Sequence, residues 1–122
     1  MSIPGRSCPS AYRYGPEALA QPSRLAADTL YVVGGLYGNP LALRAVLGRA
    51  EREPAAETAI VFNGDFHWLD LDLGDFRTIT QTVLAHPAIT GNVEAKLATA
   101  QDSGCGCGYP DYVDDAVVDR SN

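Results

Sequence analysis

The amino-acid sequence predicts an α/β fold with a mainly parallel sheet. Three observations carry that expectation. Apolar, β-branched runs recur at 30–33, 58–63 and 88–90; each empties into glycine followed by Asn or Asp; and a segment of helical period follows each turn. Strands alternating with helices build parallel sheets with right-handed crossovers. In such sheets ligands bind beyond the carboxyl ends of the strands, so the turns Gly38-Asn39, Gly64-Asp65 and Gly91-Asn92 are expected side by side on one edge, the candidate site.

The elements follow in order. Residues 1–28 are rich in Pro, Gly, Ser and Ala and are expected to form a loosely packed arm, with Tyr12 and Tyr14 as anchors. The remaining residues, 29–122, form the domain. Its first strand, Leu30–Val33, runs into Gly34, Gly35 and Gly38, which make the turn. Asn39 is then a good N-cap, and Pro40 stands at the first helical position, where its missing N–H costs nothing. Leu43, Val46, Leu47 and Ala50 follow at helical spacing, with Pro54 closing the unit.

The second strand, Thr58–Asn63, leads through Gly64-Asp65 into FHWLDLDLGD, an irregular excursion. Asp75 is expected to cap a helix in which Phe76, Ile79, Val83 and Leu84 share a face, stopped by His86-Pro87. The short third strand, Ala88–Thr90, precedes Asn92, the expected cap of VEAKLATA. A glycine-cysteine loop containing Cys105 and Cys107 then leads to a helix start near Asp111, with Val113 and Val117 on its stripe. With only three clear strands, the fold is expected to be cut short.

Composition narrows the function classes. A chain of 122 residues fits one domain that can bury a core without disulfides or metal staples. Its net charge of −6 argues against nucleic-acid or anionic-membrane partners, which reward clustered Lys and Arg. No apolar run is long enough to span a membrane, and MSIPGRSCPSAYRYG lacks the apolar core of a signal peptide, so the expected location is cytoplasmic, with the thiols reduced. Cys105-Gly-Cys107 with distant Cys8 falls short of the four paired ligands a structural zinc site needs. Neither G-x-G-x-x-G nor a Walker loop is satisfied at residues 34–39.

The order strand–Gly-Asn–helix, strand–Gly-Asp, strand–Gly-Asn resembles the calcineurin-like metallophosphoesterases over roughly residues 29–95. Their signature is D-x-H-G-N, then G-D, then G-N-H followed by D or E, with two later histidine motifs. Here the first motif reads Gly35-Leu36-Tyr37-Gly38-Asn39, the second Gly64-Asp65 and the third Gly91-Asn92-Val93-Glu94. The resemblance implies the amino-terminal half of an αββα sandwich and a pair of divalent ions, of the Mn, Fe, Ni or Zn type, about 3.5–4 Å apart. It assigns Asp65 as the bridging carboxylate and Asn92 as the amide ligand.

The departures fall on the ligands. The family's first Asp and His positions hold Gly35 and Tyr37, its third-motif His position holds Val93, and the late histidine motifs have no counterpart. Asp65-Phe66-His67 itself has D-x-H spacing, which makes His67 a candidate replacement ligand near Asp70, Asp72 and Asp75. The bland alternative makes His67 and Trp68 packing residues, with Asp70 and Asp72 solvated between leucines. Glu94 stands where the family often carries an acidic residue; it either orients a neighbour or merely favours the helix N-terminus that it occupies, and the second is the preferred expectation.

Two function classes result. One is a metal-dependent hydrolase of phosphate mono- or diesters, acting on a small phosphorylated substrate through Asp65, Asn92 and His67. The other is a degenerate fragment of the same fold without metal, acting as a binding or interaction module and prone to self-association through an uncovered sheet.

Overall fold

Three strands, β1 (Thr29–Val33), β2 (Thr58–Asn63) and β3 (Ala88–Ile89), form a wholly parallel sheet in the order β1-β2-β3. This is the expected α/β class. The computed structural model describes residues 15–20, 24–68 and 70–99, with the single positions Tyr112, Asp114 and Ala116. The expectations for Cys8, Tyr12, Tyr14, Cys105, Cys107, Asp111, Val113 and Val117 lie outside these residues. Thr29 pairs with Thr58 and Val33 with Phe62, whereas β3 reaches only Phe62 and Asn63. A short 3₁₀ turn, Pro16–Leu19, lies within the segment expected to be a loose arm.

Helix α1 (Pro40–Glu51) starts as its sequence dictates. Asn39 keeps an extended backbone, and its Oδ1 accepts from the N–H groups of Leu41 and Ala42, both at 3.0 Å. Helix α2 (Leu73–Val83) departs from expectation at both ends. Asp72, not Asp75, is the cap, with Oδ1 accepting from the Asp75 N–H at 2.8 Å. Two carboxylates three residues apart carry the same capping signal, and the one whose backbone is extended takes the role. At the other end Leu84 falls beyond the last helical residue and is exposed rather than on the buried face. Helix α3 (Asn92–Thr99) begins one residue earlier than expected: the Ala95 N–H reaches the Gly91 carbonyl at 3.1 Å, so Gly91 takes the cap position and Asn92 is already helical.

The core gathers Leu36, Leu43, Ile60, Phe62, Phe66, Ile79 and Val83. Ile60 and Phe62 point to one face of β2 and meet Leu43 of α1 with Ile79 and Val83 of α2. The opposite face carries Leu30, Val32, Ala59 and Val61 in register, with Ile89 beside them; Leu30, Val32 and Ile89 are exposed. Among the described residues, no helix is long and apolar enough to cross a membrane.

The capping geometry makes a direct prediction. Asn39→Ala removes the acceptor of two N–H groups and is expected to lower stability by about 1 kcal/mol, with Asn39→Asp retaining most of it, as measured by urea denaturation.

Candidate functional site

The three turns do converge beyond the carboxyl ends of the strands. The first is bonded to the second through backbone groups: the Tyr37 N–H donates to the Asp65 carbonyl at 3.2 Å and the Gly38 N–H to the Phe66 carbonyl at 2.9 Å. The second touches the third at Gly64, where a Cβ would lie 2.7 Å from both Cα and N of Gly91. Gly64 also sits at φ +74°, so only glycine satisfies both the contact and the backbone.

Two residues that are not glycine share this left-handed geometry, Asp65 at φ 53° and Tyr37 at φ 50°. Aspartate tolerates it; a bulky tyrosine pays of order 1–2 kcal/mol. The two turn-to-turn hydrogen bonds hold both in place. The Tyr37 ring stands edge-on to Trp68, with centroids 5.3 Å apart.

Glu94 organises the junction. Its Oε2 accepts from the N–H groups of Asp65 and Gly91 at 2.8 and 2.9 Å, and its Oε1 from those of Phe66 and His67 at 3.0 and 3.2 Å. Placement at the third position of α3, reaching back to the N–H of the cap residue, is half of a capping box. The same carboxylate also reads three consecutive N–H groups of the loop after β2. Its role therefore exceeds the simple helix-terminus preference expected from sequence. G-x-x-E before a helix was the visible half of the signal; the loop 27–29 residues earlier was not.

Asp65 and Asn92 are brought together, as the sequence reading required. Asp65 Oδ1 accepts from the Val93 N–H at 3.3 Å and so caps α3 from another loop. With its amide turned to donate, Asn92 meets Asp65 Oδ1 and Oδ2 at 3.2 and 3.3 Å. The reverse orientation would set the amide oxygen against both carboxylate oxygens and would require a cation between them.

His67 is held elsewhere. It is 3% exposed, its ring stacks on Phe76 at 4.1 Å, and Phe66 meets it edge-on at 5.1 Å. Its Nδ1 lies 3.0 Å from Asp70 Oδ2 and its Nε2 2.9 Å from Thr80 Oγ1. The Thr80 hydroxyl donates to the Phe76 carbonyl at 2.8 Å, so it accepts from His67 Nε2–H. One further proton must then lie between Nδ1 and Asp70, shared by the two groups. Burial pushes the Asp70 carboxyl above the ordinary carboxylate range, opposed by the neighbouring His67. Asp70 is thus not the solvated residue of the bland reading: its side chain is 10% exposed, and its Oδ2 faces His67 Nδ1. Thr80 is the residue sequence reasoning missed; Asp70 stood beside His67 among the candidates, but alternation with leucines also gave it the pattern of an exposed position.

The donor chemistry does not fit a two-ion centre. The positions that should supply the first Asp and His hold Gly35, which has no side chain, and Tyr37, whose ring packs on Trp68. Both ring nitrogens of His67 are engaged. Among the described residues, no three His, Cys, Asp or Glu side chains are grouped to hold an ion. An open groove of about 400 Å³ lies by the start of β2, between Leu47 and Ala50 of α1 and His86-Pro87. That is the end of β2 away from its carboxyl-terminal turn, where such sheets do not place ligands.

No protein-family model, curated protein or solved structure matches this chain.

The junction predicts its own weak point. Glu94→Gln keeps the shape but replaces one acceptor oxygen by a donor NH₂ facing N–H groups. A loss of about 2–3 kcal/mol is expected by chemical denaturation. Glu94→Asp, one methylene shorter, should recover little of it.

Proposed function

We propose that this chain is a phosphoesterase-like α/β domain with a degenerate site, acting as a binding and interaction module. One observation carries the reading: carboxylates at the turn edge are already committed to protein groups. Glu94 takes four backbone N–H groups, and Asp65 takes the Val93 N–H and the Asn92 amide. Gly35 and Tyr37 support it further, since neither offers a ligand of the kind a hard divalent ion selects.

A second reading keeps the hydrolase: a metal-dependent phosphoesterase of altered site, acting on phosphate mono- or diesters, with Asp65 and Asn92 as surviving ligands. It is favoured by the left-handed Asp65 held opposite Asn92 at the end of the central strand, the place where parallel sheets bind ligands.

Metal analysis separates the two. Purified wild type and Asp65→Ala are expected to carry no stoichiometric metal and to hydrolyse mono- and bis-nitrophenyl phosphate equally slowly with Mn²⁺ or Ni²⁺. Stoichiometric metal lost in Asp65→Ala, with Mn²⁺-stimulated hydrolysis lost alongside it, would establish the hydrolase instead.

A further inference from the structure

The outer flank of β1 is built to pair. Among the described residues, β1 lies at the sheet edge. The Thr29 N–H donates to the Glu57 carbonyl at 3.1 Å, so Thr29, Tyr31 and Val33 aim their backbone groups at β2. By alternation, Leu30 and Val32 aim N–H and C=O outward, and among the described residues nothing is bonded to them. Their side chains are 51% and 63% exposed. The strand, TLYVV, has no charge and no proline, the devices by which natural edges avoid pairing.

We propose that β1 pairs with β1 of a second copy of this chain, antiparallel and centred on Tyr31, joining two three-stranded sheets into one. Hydrogen-bond parity admits an identical strand centred on Leu30, Tyr31 or Val32, and side-chain matching selects among these registers. Centring on Tyr31 sets Leu30 opposite Val32 of the other copy, both with outward backbone groups, so each such pair exchanges both its bonds. It also sets Thr29 opposite Val33 and Asp28 opposite Gly34, so no like charges meet. Centring on Leu30 would put Asp28 against Val32; centring on Val32 would leave Leu30 against Gly34. Only the Tyr31 register matches both apolar side chains to each other.

The pairing also extends the open face. Leu30 and Val32 adjoin Ala59 and Val61 on the side of the sheet away from α1 and α2, and two such faces become continuous across the new ladder. The pairing engages neither Asp65 nor Asn92, so it stands or falls separately from the chemistry at the turns. A single strand pair buries less than the roughly 1,000 Å² of a stable interface, so the dimer is weak and concentration-dependent. A net charge of −6 on each copy opposes it, and added salt therefore strengthens it.

Sedimentation velocity over a concentration series tests the proposal. Wild type should pass from monomer to dimer as concentration rises. Val32→Pro removes an outward N–H without touching the β2 ladder and should abolish the dimer while circular dichroism remains that of the folded chain. Val61→Lys charges the open face but leaves the β1 edge intact, and should retain it. Hydrogen exchange needs no variant: the Leu30 and Val32 amides should gain protection with concentration, while those of Tyr31 and Val33 stay protected throughout. A wild type monomeric at every concentration, a dimer surviving Val32→Pro, or loss of the dimer in Val61→Lys alone would overturn it.

Discussion

The Glu94 carboxylate is the constraint on which the turn edge depends. Two oxygens accept N–H groups from Asp65, Phe66, His67 and Gly91, and no other contact joins the loop after β2 to the start of α3 so completely. Backbone N–H groups in a tight loop are obligatory donors, and a loop that turns through two left-handed residues cannot satisfy them within itself. A single anion at the first turn of α3 solves this problem and also favours the positive end of that helix. With the loop pinned, its carbonyls at Asp65 and Phe66 stand ready for the N–H groups of Tyr37 and Gly38, and the first turn follows.

Beneath that surface the loop is anchored a second time. His67 carries the chain into the core, where Phe76, Phe66 and Thr80 surround it and Asp70 shares its proton. A buried imidazole left without partners would cost several kcal/mol, and both of its nitrogens are satisfied. Asp70 is drawn into the same pocket, where burial pushes its carboxyl upward and the neighbouring His67 opposes the push. Anchored above by Glu94 and below by His67, the loop after β2 has little freedom to swing its side chains toward a new ligand.

How much of this was legible in the sequence differs by the range of the interaction. Asn39 and Pro40 act on their own helix, so the start of α1 was readable to the residue. β1 and β2 were readable because apolar β-branched runs need no partner to identify them. Asp72 and Asp75 were not separable, since the choice between them is made by backbone conformation, not by residue type. Asp70 and Glu94 were each left between two readings for a deeper reason. Each looks like a solvated acid in its own segment, and each is defined by a group far along the chain or across the core.

The same distinction governs the resemblance that the motifs suggest. A parallel strand that must feed a helix on the same side needs a backbone able to turn left-handed, then a short polar side chain to meet free N–H groups. Gly38-Asn39 serves that need directly, with Asn39 capping α1. Gly64-Asp65 serves it across space, with Asp65 capping α3. Gly91-Asn92 departs from it: Gly91 takes the cap position of α3 without a left-handed backbone, and the Asn92 amide donates to Asp65. Each Gly-Asn or Gly-Asp thus has a structural part at the turn edge, and their order along the chain accompanies the repeated strand–turn–helix unit. What the order alone cannot supply is the Asp and His of a first metal motif, and those are the positions where this chain has Gly35 and Tyr37. The fold can keep the turns without the chemistry, because the turns are needed to build the sheet edge whether or not anything binds there.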